Sequence, residues 1–462
     1  MTGINIVPGV SYHLLNDDVY VHSVDAQKDY IFTGIVFDIL DYCENHKGCS
    51  VDDIYSRMSE LYKVDDKEEL RSDIQEFIGE LINEKILCSS ESPYGEEKTS
   101  DEINRELMNS FADEHKLFSL ALELTYRCPE KCIHCYIDDF SEGCSVPSEK
   151  ELSADEWESV LKQARDMGCI YVLLTGGEVL FRKDLCDIAE YAVSLGLVVN
   201  VYTTGLGLTD EVFDRLCAMK VNSVSFSLYS GVASVHDAIT KVPGSFEKTL
   251  KAMLMFRSAG VNTFIKSVAM RQNLDTLYSL YELGRRLHIQ VSVNPAVSPG
   301  HREKRPCVCS LGDISLYKKF FSIYARYSSS FEEALNNVEE EERKYAALLD
   351  TPPCAAGRSS LSVDPFGYVH PCIGILESCG SIREDSLQNL WNKVGSMEYR
   401  KNFIRSKLTP ECSSGEYIYF CDVCIGDLLQ ENSGGSFDCG ETLIRARARA
   451  ENMKEAKKAR LR

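Results

Sequence analysis

The chain has 462 residues and a formal net charge of -21, with apolar and charged fractions typical of a globular protein. Its length predicts two or three domains. No apolar run reaches the ~18 residues of a membrane span, and the N-terminal MTGINIVPGV lacks a signal-peptide pattern, so we expect a cytoplasmic protein without a membrane partner. The negative charge argues against nucleic acid as a partner.

The cysteines are numerous and unevenly placed. There are 19 of them, and in a reducing compartment clustered cysteines more often bind metal than form disulfides. Three lie together between residues 128 and 135, and nine follow from Cys307 to the end. The scattered ones have apolar neighbours and are predicted to be small buried hydrophobic residues: Cys43, Cys88, Cys169, Cys186 and Cys217.

Residues 1–92 predict a winged-helix-like α+β module. YHLL and VYVHSV flank a turn at residues 16–18 and predict a hairpin. Three apolar sets at helical spacing follow, beginning at Ile35, Ile54 and Leu70. The polar segment 93–117 predicts a linker.

Residues 118–300 alternate strand and helix patterns. The candidate strands are SLALELT, IYVLLT, VVNVYTT, SVSFSL, TFIKSVAM and IQVSVNP. A capping box at Ser153 and Glu156 opens the first intervening helix. Six β–α units predict an α/β fold with a parallel, partial (β/α)6 TIM-like barrel. In such barrels the chemistry lies at the C-terminal ends of the strands.

The remainder of the chain has less periodic pattern. Residues 301–440 are rich in Cys, Gly and Pro and predict a bridging segment followed by a cluster-bearing domain. Residues 441–462, in the stretch LIRARARAENMKEAKKARLR, predict a basic helical tail. We interpret the tail as a solvated helix, with a partner-binding arm as the alternative.

The stretch TYRCPEKCIHCYID directly follows the first predicted barrel strand. Its cysteines, Cys128, Cys132 and Cys135, have the spacing C-x3-C-x2-C. A structural zinc site would close with a fourth ligand, and His134 is poorly placed to reach the same metal. A [4Fe–4S] cluster held by three thiolates leaves one iron open for a substrate or cosubstrate. The spacing therefore predicts an open cluster site.

The stretch LLTGGEVLFRKD ends the second predicted strand. Gly176 and Gly177 let the backbone approach a ligand closely, and Glu178 can accept a hydrogen bond from an ammonium group. A Gly-Gly pair alone is an ordinary turn. Its position next to the cysteine loop indicates a ligand site.

These residues resemble the radical S-adenosylmethionine (radical SAM) enzymes. The resemblance implies that the open iron binds S-adenosylmethionine, that a 5′-deoxyadenosyl radical abstracts hydrogen from substrate, and that a donor such as ferredoxin or flavodoxin supplies the electron. It implies no dedicated general acid or base. By the resemblance the cofactor-binding residues are Tyr136, Gly176, Gly177, Glu178, Thr204 in YTTGL and Ser227 in FSLYSG, where Tyr229 replaces the usual Asp.

The segment SVHDAITKVPGS leaves two interpretations open. By the same resemblance, His236, Asp237 and Lys241 lie near the cofactor carboxylate. The alternative is that they form the capped approach to a helix.

The later cysteines resemble the SPASM extension of peptide-modifying radical enzymes. Cys354, Gly367 and Cys372 have the spacing C-x12-G-x4-C, whereas Gly415 stands where a cysteine is usual after Cys412. The resemblance implies one or two auxiliary [4Fe–4S] clusters, with Cys307 or Cys379 as further candidates for a ligand. The ligands that it implies are Cys309, Cys354, Cys372, Cys412, Cys421, Cys424 and Cys439. A zinc knuckle at Cys421 and Cys424 is the alternative.

The layout of the N-terminal module resembles the PqqD-like element that recognises ribosomally synthesised precursor peptides. The three parts together resemble a peptide maturase that binds a leader segment and, most favourably, forms an intramolecular thioether from Cys sulfur to carbon. The alternatives are carbon–carbon crosslinking, epimerisation, a sulfatase-type maturase and a non-enzymatic iron–sulfur regulator that binds DNA. A purely structural N-terminal cap is also left open.

Overall fold

The chain is described here from a computed structural model. It describes residues 4–7, 10–15, 18–23, 28–46, 48–62, 67–88, 108, 110–137, 151–298, 308–327, 354–396, 420–431 and 440–460.

The N-terminal module packs a small antiparallel sheet on three helices. Its elements are β1 (Asn5–Ile6), β2 (Val10–Leu15), β3 (Asp18–Ser23), β4 (Lys28–Thr33), α1 (Val36–Asn45), α2 (Val51–Leu61), α3 (Lys67–Asn83) and β5 (Leu87–Cys88). The sheet order is β2-β3-β4, and β1 pairs with β5. Ile39, Ile54 and Ile78 place the apolar faces of the helices in one core. The predicted hairpin and helices are confirmed, whereas turn residues 16 and 17 lie outside the described residues.

The middle region forms the partial barrel. Its elements are β6 (Ser119–Thr125), α4 (Ala154–Asp166), β7 (Tyr171–Gly176), α5 (Leu185–Ser194), β8 (Val198–Thr203), α6 (Asp210–Ala218), β9 (Ser223–Ser227), α7 (Ala233–Thr240), α8 (Ser245–Ser258), β10 (Thr263–Val268), α9 (Leu277–Leu287) and β11 (Gln290–Asn294). The six predicted strands are β6 to β11, and they pair in parallel in chain order. Ser153 and Glu156 form the predicted capping box of α4.

The two faces of this sheet differ in composition. The helix-facing side carries fully buried apolar residues such as Leu122, Val172 and Phe226. Small and polar residues line the other side: Ser119, Ala121, Asn200, Ser223 and Ser225. A closed TIM barrel fills its interior with bulky side chains. This barrel instead encloses a space of about 680 Å³, the lumen cavity.

The C-terminal region extends the same sheet. Its elements are α10 (Ile314–Tyr327), β12 (Ser360–Val363), β13 (Tyr368–His370), β14 (Gly380–Ser381), α11 (Leu387–Ser396), α12 (Ile425–Glu431) and α13 (Gly440–Arg460). β12 pairs in parallel with β6, and β13 and β14 follow antiparallel. The nine strands are ordered β11-β10-β9-β8-β7-β6-β12-β13-β14. The sequence did not predict that this region contributes a strand next to β6.

The tail is helical as predicted, but the solvated interpretation is wrong. Helix α13 packs along α10, with Ala446, Ala448 and Ala450 fully buried. Arg445 is buried too, and its Nε lies 2.8 Å from the carboxylate of Asp422. In the described parts of the chain, no helix has the length and apolar character needed to cross a bilayer.

The scattered cysteines are only partly as predicted. Cys43, Cys169 and Cys186 are buried, and Cys217 is half-buried. Cys88 is exposed, so the prediction is wrong there. Cys88 is the last residue of the short strand β5, where its side chain points away from the core.

A buried polar cluster joins the N-terminal module to the barrel. His22 Nδ1 lies 2.6 Å from Asp29 Oδ1, and His22 Nε2 lies 2.9 Å from Asn222 Oδ1 on the barrel side. Tyr171, at the start of β7, donates to the same Asp29 oxygen at 3.0 Å, and Tyr20 donates to it as well. Burial opposes ionisation of Asp29, but the hydrogen bonds from these groups outweigh burial and hold its pKa below the ordinary 3.8.

We expect Asp29→Asn to reduce the free energy of unfolding by about 1–3 kcal/mol at pH 7, because it leaves buried donors without their charged acceptor. The folded pKa of Asp29 lies below 3.8, so its contribution is present above that pH and is lost as pH falls through the folded pKa. Thermal unfolding of the apoprotein at pH 7 and at pH 3 measures this.

The matched control is Asp52→Asn, because Asp52 forms an exposed ion pair with Arg71. Exposed pairs contribute about 0–1 kcal/mol. Equal destabilisation by the two substitutions, or a difference between wild type and Asp29→Asn that does not shrink in acid, would contradict the prediction.

Candidate functional site

The cysteine loop, residues 126–137, leaves the C-terminal end of β6 and is fastened to β7 through the backbone. Gly177 N donates to Thr125 O at 2.7 Å, and Glu178 N donates to Arg127 O at 2.9 Å. A Cβ on Gly177 would lie 2.6 Å from Arg127 O, which no side chain tolerates without backbone movement. The glycine therefore permits the close approach that positions the loop.

The other side of the loop is fastened to the end of α7. Lys131 N donates to Thr240 O at 2.9 Å, and Ile133 N donates to Ile239 O at 3.1 Å. The cysteine loop is thus held between two elements that are far apart in sequence.

In the segment after β9, Asp237 forms the capped approach to a helix, which is the second of the two interpretations. The Asp237 carboxylate accepts from Gly244 N at 2.6 Å and from Phe246 N at 2.9 Å, so it caps the approach to α8. His236 is buried and its ring stacks on Tyr229. Lys241 is exposed and closes α7 in a left-handed conformation with φ of 62°.

The loop and the strand ends enclose a space of about 220 Å³, which we call the site cavity. The structure brings together there most of the residues that the sequence singled out: Cys128, Cys132, Cys135, Tyr136, Gly176, Gly177, Thr204, Ser227 and Tyr229. They come from four strand ends, as expected for a parallel barrel. Their individual roles as ligands stay predictions.

Glu178 lies behind the site cavity rather than in it. Its carboxylate is fully buried and accepts from Thr203 Oγ1 and Thr204 N, each at 2.6 Å, and from Leu180 N at 3.0 Å. Burial raises the pKa of Glu178, and these hydrogen bonds oppose the shift. In this arrangement Glu178 ties the end of β7 to the end of β8. The direct contact of its side chain with the cofactor stays a prediction, and the Glu178 charge acts on Cys128 and Glu130 in the cavity wall.

Tyr136 is oriented by a buried carboxylate. Its hydroxyl donates to Glu123 Oε1 at 2.8 Å, and Tyr126 donates to the other Glu123 oxygen at 3.2 Å. Burial raises the pKa of Glu123 to about 7 against the effect of these two hydrogen bonds. The phenol of Tyr136 is therefore fixed at the wall of the site cavity.

Two polar groups in the site cavity were not predicted as site residues. Glu130 and His134 lie within the cysteine loop, and Glu130 Oε1 and His134 Nδ1 are buried without a hydrogen-bond partner among the residues that the structure describes. Burial raises the pKa of Glu130 to about 7 and lowers that of His134 to about 4. Buried polar atoms without partners are uncommon in proteins and indicate that a ligand belongs there.

The donor set fits an iron–sulfur cluster with a bound cosubstrate. Three thiols border one cavity, and burial raises the pKa of Cys128 and Cys132, so metal binding must displace their protons. Within the described ranges no three His, Cys, Asp or Glu side chains are grouped tightly enough for a single metal ion. A four-iron cluster distributes its thiolates over separate irons.

Three of the later cysteines form a second group. The charges of Cys354, Cys372 and Cys424 influence one another, and burial raises the pKa of Cys372 to about 11 and that of Cys424 to about 12. The loop after Cys372 touches the start of α12, where a Cβ on Gly426 would lie 2.5 Å from Gly374 O. Close backbone packing therefore brings Cys372 and Cys424 together across a long stretch of sequence.

The other predicted auxiliary ligands lie elsewhere or are not described. Cys309 is buried in an apolar cluster with Tyr229, and Cys132 packs against that cluster. Its role as an auxiliary ligand stays a prediction. The apolar surroundings of Cys421 include Phe420 and helix α13. The remaining candidates, Cys307, Cys412 and Cys439, lie outside the described residues.

Tyr202 connects the two spaces of the barrel. It lies on β8, is 37% exposed, and lines both the site cavity and the lumen cavity. Cys372 lines the lumen cavity as well. The lumen cavity therefore borders the Cys372 loop and, through Tyr202, the site cavity, which no local sequence pattern indicates.

We expect Cys372→Ala to lower bound iron by about four atoms per chain, because loss of one thiolate from the second group removes a whole [4Fe–4S] cluster. Iron analysis after anaerobic reconstitution measures this. The control is Cys186→Ala, because Cys186 lies on α5 and is buried in the barrel core. Cys379 is partly buried against the same core, and its role as a further ligand stays a prediction. Equal iron content in wild type and Cys372→Ala would show that Cys372 is not a cluster ligand.

Comparison with known proteins agrees with this geometry. The family model described as the radical SAM superfamily matches residues 122–284, and the model described as an iron–sulfur cluster-binding domain, SPASM, matches residues 354–424. The second match favours iron–sulfur ligation over the zinc knuckle considered for Cys421 and Cys424.

Two curated relatives are similar in sequence. An AdoMet-dependent heme synthase from Methanosarcina barkeri is 27% identical over 340 residues, which cover 68% of this chain and 94% of that protein. A PqqA peptide cyclase from Rhizobium meliloti is 27% identical over 314 residues, which cover 64% of this chain and 79% of that protein.

A solved structure is similar over nearly the whole chain. Streptococcus suis SuiB bound to S-adenosylmethionine has a TM-score of 0.58 at 16% identity, covering 95% of this chain and 99% of that one. SuiB bound to its precursor peptide SuiA also has a TM-score of 0.58, at 15% identity over 94% of this chain and 98% of that one. These likenesses show the fold. The chain therefore contains a region that matches the radical SAM superfamily, residues 122–284, and a region that matches the SPASM iron–sulfur domain, residues 354–424, which together support an enzyme that uses S-adenosylmethionine and [4Fe–4S] clusters.

Proposed function

We propose that this enzyme modifies a ribosomally synthesised precursor peptide and forms an intramolecular thioether between a cysteine sulfur and a carbon. The observation that carries the proposal is the lumen cavity, because it is lined by His22 and Asp29 of the N-terminal module, by Cys372, and by Tyr202, which also lines the site cavity. An extended segment threaded through it would pass both cysteine groups. The peptide cyclase relative and the SuiB fold support a peptide substrate.

Residues of this chain border the place where substrate and cofactor would react. When bound, the cluster and S-adenosylmethionine supply one-electron hydrogen abstraction. The phenol of Tyr136, held by Glu123, forms a fixed wall of the site cavity. Tyr202 and Ser227 lie where the substrate would meet the cofactor. The enclosing sheet limits the access of water to this region.

The position of Cys372 favours an oxidative crosslink over epimerisation, and we propose the thioether as that crosslink. Forming a carbon–sulfur bond removes a hydrogen atom from carbon and a proton and an electron from the thiol. A second redox group must therefore lie near the substrate, and the Cys372 loop lies on the lumen wall. Carbon–carbon crosslinking and epimerisation are the alternatives, and mass spectrometry of the product separates them.

The N-terminal module is proposed to bind the leader as a PqqD-like recognition element. Strand β4 pairs only with β3 among the described residues, so its other edge is open to an added strand. Phe32 on β4 packs against Phe77 on α3, and Tyr30 stacks on Phe32, which gives this edge an aromatic border. This module argues against a sulfatase-type maturase, and its acidic helices argue against DNA binding.

The proposed division of the chain follows from these roles. Residues 1–92 recognise the leader, 93–117 link, 118–300 form the radical SAM core, 301–440 bridge to and form the SPASM domain, and 441–462 are the tail. We also propose a cytoplasmic enzyme that takes its electron from a ferredoxin or flavodoxin, because exposed iron–sulfur chemistry needs a reducing compartment.

The first test is cleavage of S-adenosylmethionine. The enzyme, reconstituted with iron and sulfide without oxygen and given a strong reductant, is expected to form 5′-deoxyadenosine. Cys132→Ala should abolish this product, because the cluster loses one of three thiolates. Cys186→Ala is the control, since Cys186 is a buried residue of α5 and does not line the site cavity. Absence of product from wild type with intact clusters would refute the proposed function.

The second test addresses the leader. Adding a precursor peptide encoded next to this gene is expected to slow amide hydrogen exchange in β4, Lys28–Thr33, because strand addition protects edge amides. Strand β3, already paired on both sides, serves as the internal control. Unchanged exchange in β4 with a peptide that is nonetheless modified would contradict leader binding at this edge.

A further inference from the structure

The lumen cavity contains an ammonium group. Lys266 on β10 lines the cavity, with its Nζ 5.9 Å from the ring centre of Tyr202 and 6.0 Å from that of Phe264. The two rings hold the ammonium group by cation–π contacts. In the part of the chain that the structure describes, no carboxylate pairs with Lys266. The other charged side chains on the lining are His22 and Asp29, which contact each other.

Lys266 lies next to the reaction site. Its neighbour in register on β9 is Ser227, which lines the site cavity, and its neighbour on β11 is Ser292. Tyr202, which contacts the ammonium group, lines both cavities. A substrate group bound at Lys266 would therefore lie close to the substrate atom that loses its hydrogen.

Removing the ammonium group of Lys266 from water is energetically unfavourable. Most of its side chain is removed from water, and this burial lowers the pKa of Lys266. The surrounding wall offers hydroxyl and amide groups, from Asn200, Ser223 and Ser225. The carboxylate among the described lining residues is that of Asp29, and it is engaged by His22, Tyr20 and Tyr171. An anionic group entering the cavity would offset the cost and gain a charge-assisted hydrogen bond.

We propose that Lys266 binds the side-chain carboxylate of an acidic residue in the substrate peptide, close to the residue that is modified. This rests on the proposed function in taking a peptide as substrate. The carboxylate would anchor the peptide in the lumen, and the spacing between the acidic residue and the modified residue would decide which carbon faces the cofactor. Lys266 is then a specificity-determining residue.

A binding selection tests the proposal without turnover. A random dodecapeptide library, displayed on its mRNA, is selected against the reconstituted enzyme with S-adenosylmethionine. Wild type should enrich Asp or Glu at one position about tenfold, which corresponds to 1.4 kcal/mol. Lys266→Gln should lose this preference, and Lys266→Glu should prefer Lys or Arg. Lys251→Glu, exposed on α8, is the charge-matched control and should behave as wild type.

A double-mutant cycle then examines a single selected peptide. The peptide and its Glu→Gln analogue are titrated against wild type and Lys266→Gln. The analogue should bind wild type about tenfold more weakly and should bind Lys266→Gln equally well, because the coupling is lost with either partner. Equal iron content in all variants confirms that they are folded.

Three results would overturn the proposal: no acidic preference in wild type, the same preference in Lys266→Glu, or no coupling in the cycle. Coproporphyrin I, a tetrapyrrole tetracarboxylate, distinguishes the source of the carboxylate. If its binding requires Lys266 while peptides show no acidic preference, the peptide assignment is wrong. The proposed function fails by a different readout, which is the absence of 5′-deoxyadenosine from wild type.

Discussion

The site depends on the parallel pairing of β6 with β7 at their C-terminal ends. Two backbone hydrogen bonds, from Gly177 to Thr125 and from Glu178 to Arg127, place the cysteine loop against the end of β7. The approach is so close that a Cβ at Gly177 would overlap a carbonyl oxygen. The position of all three thiols therefore depends on main-chain contacts. If these contacts were lost, a side-chain substitution elsewhere in the chain could not easily restore them.

The buried carboxylate of Glu178 extends this constraint to the next strand. Its hydrogen bonds with Thr203 and Thr204 join the end of β7 to the end of β8. Thr204 and Tyr202, from the same strand, then border the site cavity. Glu178 thereby positions Thr204 at the wall of the site cavity, because a buried carboxylate is stable only when its oxygens are hydrogen-bonded.

The barrel joins three regions of the chain around one interior. Asp29 of the N-terminal module contacts Tyr171 at the start of β7, and the C-terminal region adds β12 beside β6. Small polar residues on the inner face leave space where a closed barrel would be filled. The site cavity at the strand ends and the lumen cavity beside the second cysteine group thereby adjoin at Tyr202.

The sequence by itself determined the local features: the six barrel strands, the capping box at Ser153, and the cysteine loop with its glycine pair. These depend on periodicity and spacing between residues close along the chain. Only the tertiary structure decided the rest: the pairing of β12 with β6, the hydrogen bonds of Glu178 to β8 and Thr204, the burial of the tail helix, the packing of Cys309 beside Cys132, and the position of Lys266 in the lumen. Each of these depends on contacts between residues distant in sequence, where packing and desolvation, not local propensity, select the arrangement.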